Sequence, residues 1–190
     1  MYVMNHTLMR TKKNRQSIAA QGGYSIIEMM VVVMIVGIIA GIAITSYRGQ
    51  LPQSRLRLTT TELHSTFNLS RVMAMSENAT FTVKLSGGAA ETVSGTTVTV
   101  TSPITATIVR TVAGVDSQVT ATTFHSDVSS IAVTPGLVVG TARPWVRFNS
   151  MGFRAGTGNQ LLVLTNTQGR VHSISVMPGG KAKWCLTSTC

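Results

Sequence analysis

The chain has 190 residues, of which 44% are hydrophobic and only 12% charged, and its 16 basic and 6 acidic side chains give a formal net charge of +10. This length suffices for one ordinary domain plus an anchor. The two cysteines, Cys185 and Cys190, are too few for a disulfide-rich scaffold or a closed zinc site. The positive charge has two interpretations, membrane-topology signals with a solvated basic face or a polyanionic partner.

The first 23 residues are polar and basic and contain no acidic side chain. Their four cations are Arg10, Lys12, Lys13 and Arg15. Basic residues that flank an apolar segment stay on the cytoplasmic side of a membrane. We therefore expect everything after the following apolar segment to lie on the other side.

The next segment, residues 24–44, is long enough to cross a bilayer. An apolar run extends from Met29 to Ile44, and a helix over residues 24–44 would be about 30 Å long. An ordinary secretory leader would be cleaved after this run, and no convincing Ala-x-Ala-like site follows it. A plain membrane anchor leaves Glu28 unexplained, because a charge in a bilayer costs about 3 kcal/mol and such groups are functional candidates.

From residue 45 to about residue 78 the apolar residues lie on one face of the predicted helix. Leu56, Leu63, Phe67 and Ala74 recur at spacings typical of one helix face. We expect this stripe to pack against a core.

After residue 78 the pattern predicts strands rich in Thr and Val, separated by Gly and Pro. The predicted strands are Thr80–Ser86, Thr92–Thr101, Ile104–Val112, Gln118–Phe124, Val128–Thr134, Trp145–Phe148, Leu161–Thr165 and Val171–Val176. The predicted fold class is α+β, in which a long N-terminal transmembrane and amphipathic helix packs on a small antiparallel β-rich head.

No pattern points to catalysis. His6, His64, His125 and His172 are scattered, and neither a carboxylate pair nor a nucleophile motif accompanies them. We therefore predict a protein that is not an enzyme and that has no metal site or cofactor.

Gly23-Tyr24-Ser-Ile-Ile-Glu28, after basic residues and before a long Val/Ile/Met run, resembles the signal of type IV pilins and type II secretion pseudopilins. Two departures are Tyr24 in place of the usual Phe and Thr45 where many relatives carry Pro. The resemblance implies a leader, residues 1–23, that a prepilin peptidase removes after Gly23, followed by methylation of the Tyr24 amine. It also implies that Glu28 pairs with the Tyr24 amine of a neighbouring subunit during assembly.

A second resemblance covers the head. Phe148-Asn-Ser-Met-Gly152, together with the Leu63–Val83 segment, is similar to the FimT and GspH group of minor pilins and pseudopilins. Gly180-Lys181-Ala182-Lys183 stands where FimT-type proteins carry a Gly-Arg-x-Arg tail implicated in DNA binding. Lysine supplies charge for phosphates but lacks the bidentate fork of arginine, so we expect binding without base readout.

The candidate DNA-binding residues of this chain are Lys181, Lys183, Trp184, Arg170 and Arg154. The six basic residues of the last third have no acidic neighbour in sequence, and an aromatic beside cations can stack on an exposed base. The alternative is an exposed cationic strand end with Trp184 packed beneath it.

The resulting hypothesis has four segments: a cleaved leader (1–23), an assembly helix in the bacterial inner membrane (24–47), an amphipathic helical half (48–78) and a periplasmic head with a basic C-terminal tail (79–190). In the periplasm, Cys185 and Cys190 are expected to form a disulfide. The expected partners are other pilin or pseudopilin subunits, the inner membrane, prepilin peptidase and, as a candidate, DNA. The predicted function is a FimT-like minor pilin of a type IV pilus; the alternative is a GspH-like minor pseudopilin of type II secretion.

Overall fold

The computed structural model describes residues 23–89, 91–135, 137–138, 141–142 and 144–190. The predicted leader except Gly23 lies outside the described residues, as does Arg143. The chain divides between Ala43 and Ile44 into two compact units, and each is described by itself.

The described residues form one helix followed by short strands. The elements are α1 (Ile26–Ser76), β1 (Thr80–Ser86), β2 (Thr92–Ser94), β3 (Thr97–Thr101), β4 (Thr105–Val112), β5 (Val115–Thr123), β6 (Val128–Thr134), β7 (Leu137–Val138), β8 (Thr141–Ala142), β9 (Trp145–Phe148), β10 (Gln160–Asn166), β11 (Val171–Val176) and β12 (Ala182–Cys185).

In the second unit, the described strands form antiparallel sheets. The larger ones have the orders β5-β4-β1-β9 and β12-β11-β10-β6-β3-β2, and β7 pairs with β8. Alternate residues of each central strand point inward because strand side chains alternate between faces. On β1 these are Phe81, Val83 and Leu85, and on β10 they are Leu162 and Leu164.

The amphipathic stripe predicted for α1 is confirmed. Leu56, Leu63, Phe67 and Ala74 are all buried and belong to the same core cluster as the inward strand residues. Removing apolar surface from water stabilises this arrangement by roughly 25 cal/mol per Å² buried. The core therefore forms between the helix and the sheets, as the predicted α+β class requires.

The short pair β7–β8 was not predicted, and two larger features of the strand prediction are wrong. The predicted strand Thr92–Thr101 is a hairpin, because β2 and β3 pair through Ser94 and Thr97 around the turn Gly95-Thr96. The strand β12, which lies within the tail, was not predicted, and it completes the edge of the six-stranded sheet beside β11.

Candidate functional site

The assembly segment places Glu28 in the first turn of α1. Gly23 and Tyr24 precede the helix, and the carbonyl of Ser25 accepts hydrogen bonds from the backbone N–H groups of Glu28 and Met29 at 3.1 and 3.2 Å. A carboxylate at this position interacts favourably with the positive end of the helix dipole. No ion pair to this carboxylate is found among the described residues.

The helix that follows Glu28 is apolar around its whole circumference. Residues Ile26–Ile44 have a mean hydropathy of 2.7 and are long enough to cross a membrane. Glu28 is the only charged residue among them. Such a surface fits lipid or other apolar helices, and a lone carboxylate within it would require a cationic partner.

The tail, which we define as Gly180–Cys190, begins in a tight turn between β11 and β12. The N–H of Gly180 donates to the carbonyl of Met177, and the N–H of Met177 donates to the carbonyl of Lys181, both at 2.9 Å. Lys181 lies at the end of this turn and Lys183 opposite Ser175 in the β11–β12 pairing. Both lysine side chains are exposed, and neither belongs to an ion pair among the described residues.

Trp184 does not project from the tail. It lies opposite the buried Ile174, packs against the core cluster, and its ring centre lies 6.2 Å from that of His172. Trp184 therefore fits the alternative interpretation, in which the ring packs beneath a cationic strand end.

Arg154 is engaged inside its own loop. Only 6% of it is exposed, and its guanidinium donates hydrogen bonds to the carbonyls of Ala155, Gly156 and Gly158. Burial lowers the pKa of this group. Because its donors are used to hold the loop, we leave Arg154 out of the phosphate contacts proposed below.

Arg170 and His172 lie on either side of Val171 in very different surroundings. Arg170 is exposed, and its backbone N–H donates to the Asn166 side chain at 2.8 Å. His172 is buried, with Nδ1 3.2 Å from the hydroxyl oxygen of Thr60 on α1. Burial, followed by the positive charge of Arg57, lowers the pKa of His172.

The shift at His172 predicts a loss of stability on acidification. A histidine that is kept neutral in the folded state contributes stability that is complete above the unfolded-state pKa of about 6.5 and is lost as the pH falls through that value. The midpoint of thermal unfolding should therefore drop between pH 7.5 and pH 5.5, and the drop should be smaller in His172→Gln. An equal drop in the two proteins would show that His172 does not contribute.

The predicted disulfide between Cys185 and Cys190 is present, with 5.6 Å between the Cα atoms. It closes a short terminal loop beside β11, where the Oγ atom of Ser173 lies 3.6 Å from Sγ of Cys190. A loop of this length restricts the unfolded chain little, so the expected stabilisation is modest.

No functional role was assigned from the sequence to two arginines of α1, Arg57 and Arg71. Arg57 is an exposed cation of α1 whose charge acts on His172. Arg71 donates from Nε to the carbonyl of Gly152 at 3.1 Å, and a Cβ atom added at Gly180 would overlap that carbonyl oxygen. Both are cations of the predicted amphipathic helix that lie outside its apolar stripe, and this position was the available signal.

A comparison with known families identifies a motif in the N-terminal segment. Residues 18–44 match the family model described as the prokaryotic N-terminal methylation motif. The chain has a type IV prepilin-like N-terminus. The match includes Gly23, Tyr24 and Glu28, so the resemblance seen in the sequence is confirmed for this segment.

No curated protein matches the chain significantly. The fold is similar to that of the type IV minor pilin FimU of Pseudomonas aeruginosa in two crystal forms, with TM-scores of 0.49 and 0.45. Each alignment has 10% sequence identity and covers 73% of this chain and 92% or 94% of the FimU chain.

Proposed function

We propose that this chain is a minor pilin that is cleaved after Gly23, methylated at Tyr24 and assembled into a type IV pilus through α1. The observation that carries the proposal is the position of Glu28, within the methylation motif and as the only charged residue of the Ile26–Ile44 span. An assembly role gives this carboxylate a partner that the segment itself lacks.

Cleavage after Gly23 would create a new amine at Tyr24, one helical turn before Glu28. In a filament, the carboxylate of one subunit would neutralise the amine of its neighbour. Apolar helices slide past one another easily, and a buried ion pair is best understood as a device that fixes their axial register. The inner membrane, prepilin peptidase and other pilin subunits are the partners that this process requires.

The topology follows from charge. The four leader cations would keep the N-terminus in the cytoplasm, so the head, residues 79–190, would enter the periplasm. The disulfide between Cys185 and Cys190 suits such an oxidising compartment.

The tail supports a second element of the proposal, weak DNA binding of the FimT type. Lys181 and Lys183 are exposed and free of acidic partners among the described residues. Ammonium groups attract phosphates without reading bases, so we expect binding of about micromolar affinity or weaker and without sequence preference.

The double variant Lys181→Ala with Lys183→Ala tests this element. DNA binding by the full chain in an uncharged detergent is measured by fluorescence anisotropy over a range of salt concentrations. Two lost phosphate contacts should reduce the log–log salt slope by about 2. The matched control is Lys84→Ala, because Nζ of Lys84 is held 2.9 Å from the Asp116 carboxylate on the other large sheet.

If the double variant binds DNA as the wild-type chain does, the two lysines are solvated side chains that do not contribute to DNA binding. Absence of DNA binding by the wild-type chain at low salt would favour the GspH-like role in type II secretion over the FimT-like role.

A further inference from the structure

Some cations of the second unit are held by carboxylates, and others are exposed without a carboxylate partner among the described residues. Ion pairs join Arg55 to Asp127 at 2.9 Å, Lys84 to Asp116 at 2.9 Å and Arg110 to Glu77 at 2.7 Å. Arg57 and Arg170 belong to no ion pair among the described residues, although both are exposed. Their charges are therefore available to an external anion.

Arg170 lies in a surface pocket of about 310 Å³ between α1 and the start of β11. Its lining residues are Gln53, Gly169, Arg170, Val171, His172 and Leu186. No carboxylate lines this pocket. The carboxamide of Gln53 and the guanidinium of Arg170 supply hydrogen-bond donors to it.

Arg57 does not line this pocket, but it lies four residues after Gln53, about one turn further along α1. Gln53 also lines an adjoining depression that Arg57 borders, and the charge of Arg57 lowers the pKa of His172. Two guanidinium groups without an ion-pair partner among the described residues thus border two neighbouring concavities that meet at Gln53. Guanidinium groups match phosphate oxygens geometrically and can bind them through two parallel hydrogen bonds.

The hairpin that carries Arg170 is fixed to α1. Gln168 donates from Nε2 to the carbonyl of Gly49 at 3.2 Å, and Asn166 accepts the backbone N–H groups of Gln168 and Arg170 at 3.0 and 2.8 Å. The Gln168 contact joins the β10–β11 turn to the helix, and the Asn166 contacts order the turn that carries Arg170.

The pocket continues the cationic edge of the tail. Leu186, one of its lining residues, follows the end of β12 directly, three residues after Lys183. At about 3.3 Å per residue, the pocket lies roughly 10 Å from Lys183 along the chain. Lys183 points to the outer face of the sheet and the pocket opens on the face that carries α1, so a nucleic acid backbone that contacts both would follow the sheet edge formed by β12.

We propose that this pocket binds a backbone phosphate of the DNA that contacts the tail, with Arg57 and Arg170 as its cationic ligands. This inference rests on the DNA binding proposed above. It retains Arg170 from the sequence-based candidates and adds Arg57, which lies on the helix.

The test uses the full chain in uncharged detergent and the double variant Arg57→Gln with Arg170→Gln. Anisotropy titrations with duplex DNA should show a log–log salt slope that is lower by about 2, and an affinity at low salt that is about tenfold weaker or more. The matched control is Arg55→Gln, which removes a guanidinium two residues away that is held by Asp127. Circular dichroism of the variants is the control that checks whether these substitutions of exposed residues leave the fold intact.

A second titration with inorganic phosphate separates this inference from the proposed DNA binding. If the wild-type chain binds phosphate, the double arginine variant does not, and DNA binds to neither, the pocket is supported and the DNA function is wrong. If DNA binding depends on Lys181 and Lys183 but its slope is unchanged in the arginine variant, the tail interface stands and the pocket inference is overturned.

Discussion

Replacement of Glu28 by Val should leave membrane insertion intact and reduce incorporation into filaments by tenfold or more. Insertion is favoured, because the change removes a charge that costs about 3 kcal/mol in a bilayer. Incorporation into filaments should be reduced because the methylated amine of a neighbouring subunit would be buried without a counter-charge. Removing one partner of a buried ion pair costs about 3–5 kcal/mol.

The measurement compares the amounts of the variant in the membrane fraction and in sheared filaments. Glu62→Val is the matched control, since Glu62 is an exposed acid of the same helix outside the apolar span. Normal recovery of Glu28→Val in filaments would contradict the register role, whatever the effect on cleavage.

Replacement of Gly180 by Ala should destabilise the second unit by about 2–6 kcal/mol. A Cβ atom at this position would overlap the carbonyl oxygen of Gly152, and Gly180 has a φ of +78°, which residues with a side chain rarely adopt. Overpacking in a rigid site and backbone strain each cost about 1–3 kcal/mol. The neighbouring Arg71 guanidinium, whose Nε lies 2.9 Å from the added atom, leaves little room for relief.

Gly179→Ala is the control for this variant, because nothing lies within 4 Å of a Cβ atom added there. Thermal or denaturant unfolding of the two variants should separate them clearly. Equal stability of Gly180→Ala and Gly179→Ala would show that the turn and the Gly152 loop are not in close contact.

The parts of the fold that depend on local pattern were predictable from the sequence. The helix stripe from Leu56 to Ala74 follows from its spacing, and the bounds of β1, β6, β9 and β11 agree with the predicted strands. On β1 the alternation of apolar and polar residues is uninterrupted, so propensity and burial favour the same structure there.

The parts that depend on long-range contacts were not predictable. Trp184 and Lys183 are neighbours in sequence, but only the pairing of β12 with β11 shows that the ring turns inward and the ammonium group outward. The carbonyls that hold Arg154 come from a loop whose sequence signals only a turn. The pocket beside Arg170 requires α1 and the β10–β11 turn to meet, which no local pattern indicates.

The central claim is that the chain is processed as a prepilin, and the intact mass of protein extracted from membranes tests it most directly. The account predicts a mature chain that begins at Tyr24, carries one methyl group on its amine and retains the Cys185–Cys190 disulfide. The observed motif over residues 18–44 motivates this expectation. A mass that corresponds to a chain beginning at Met1, or to one cleaved after Ile44, would contradict it.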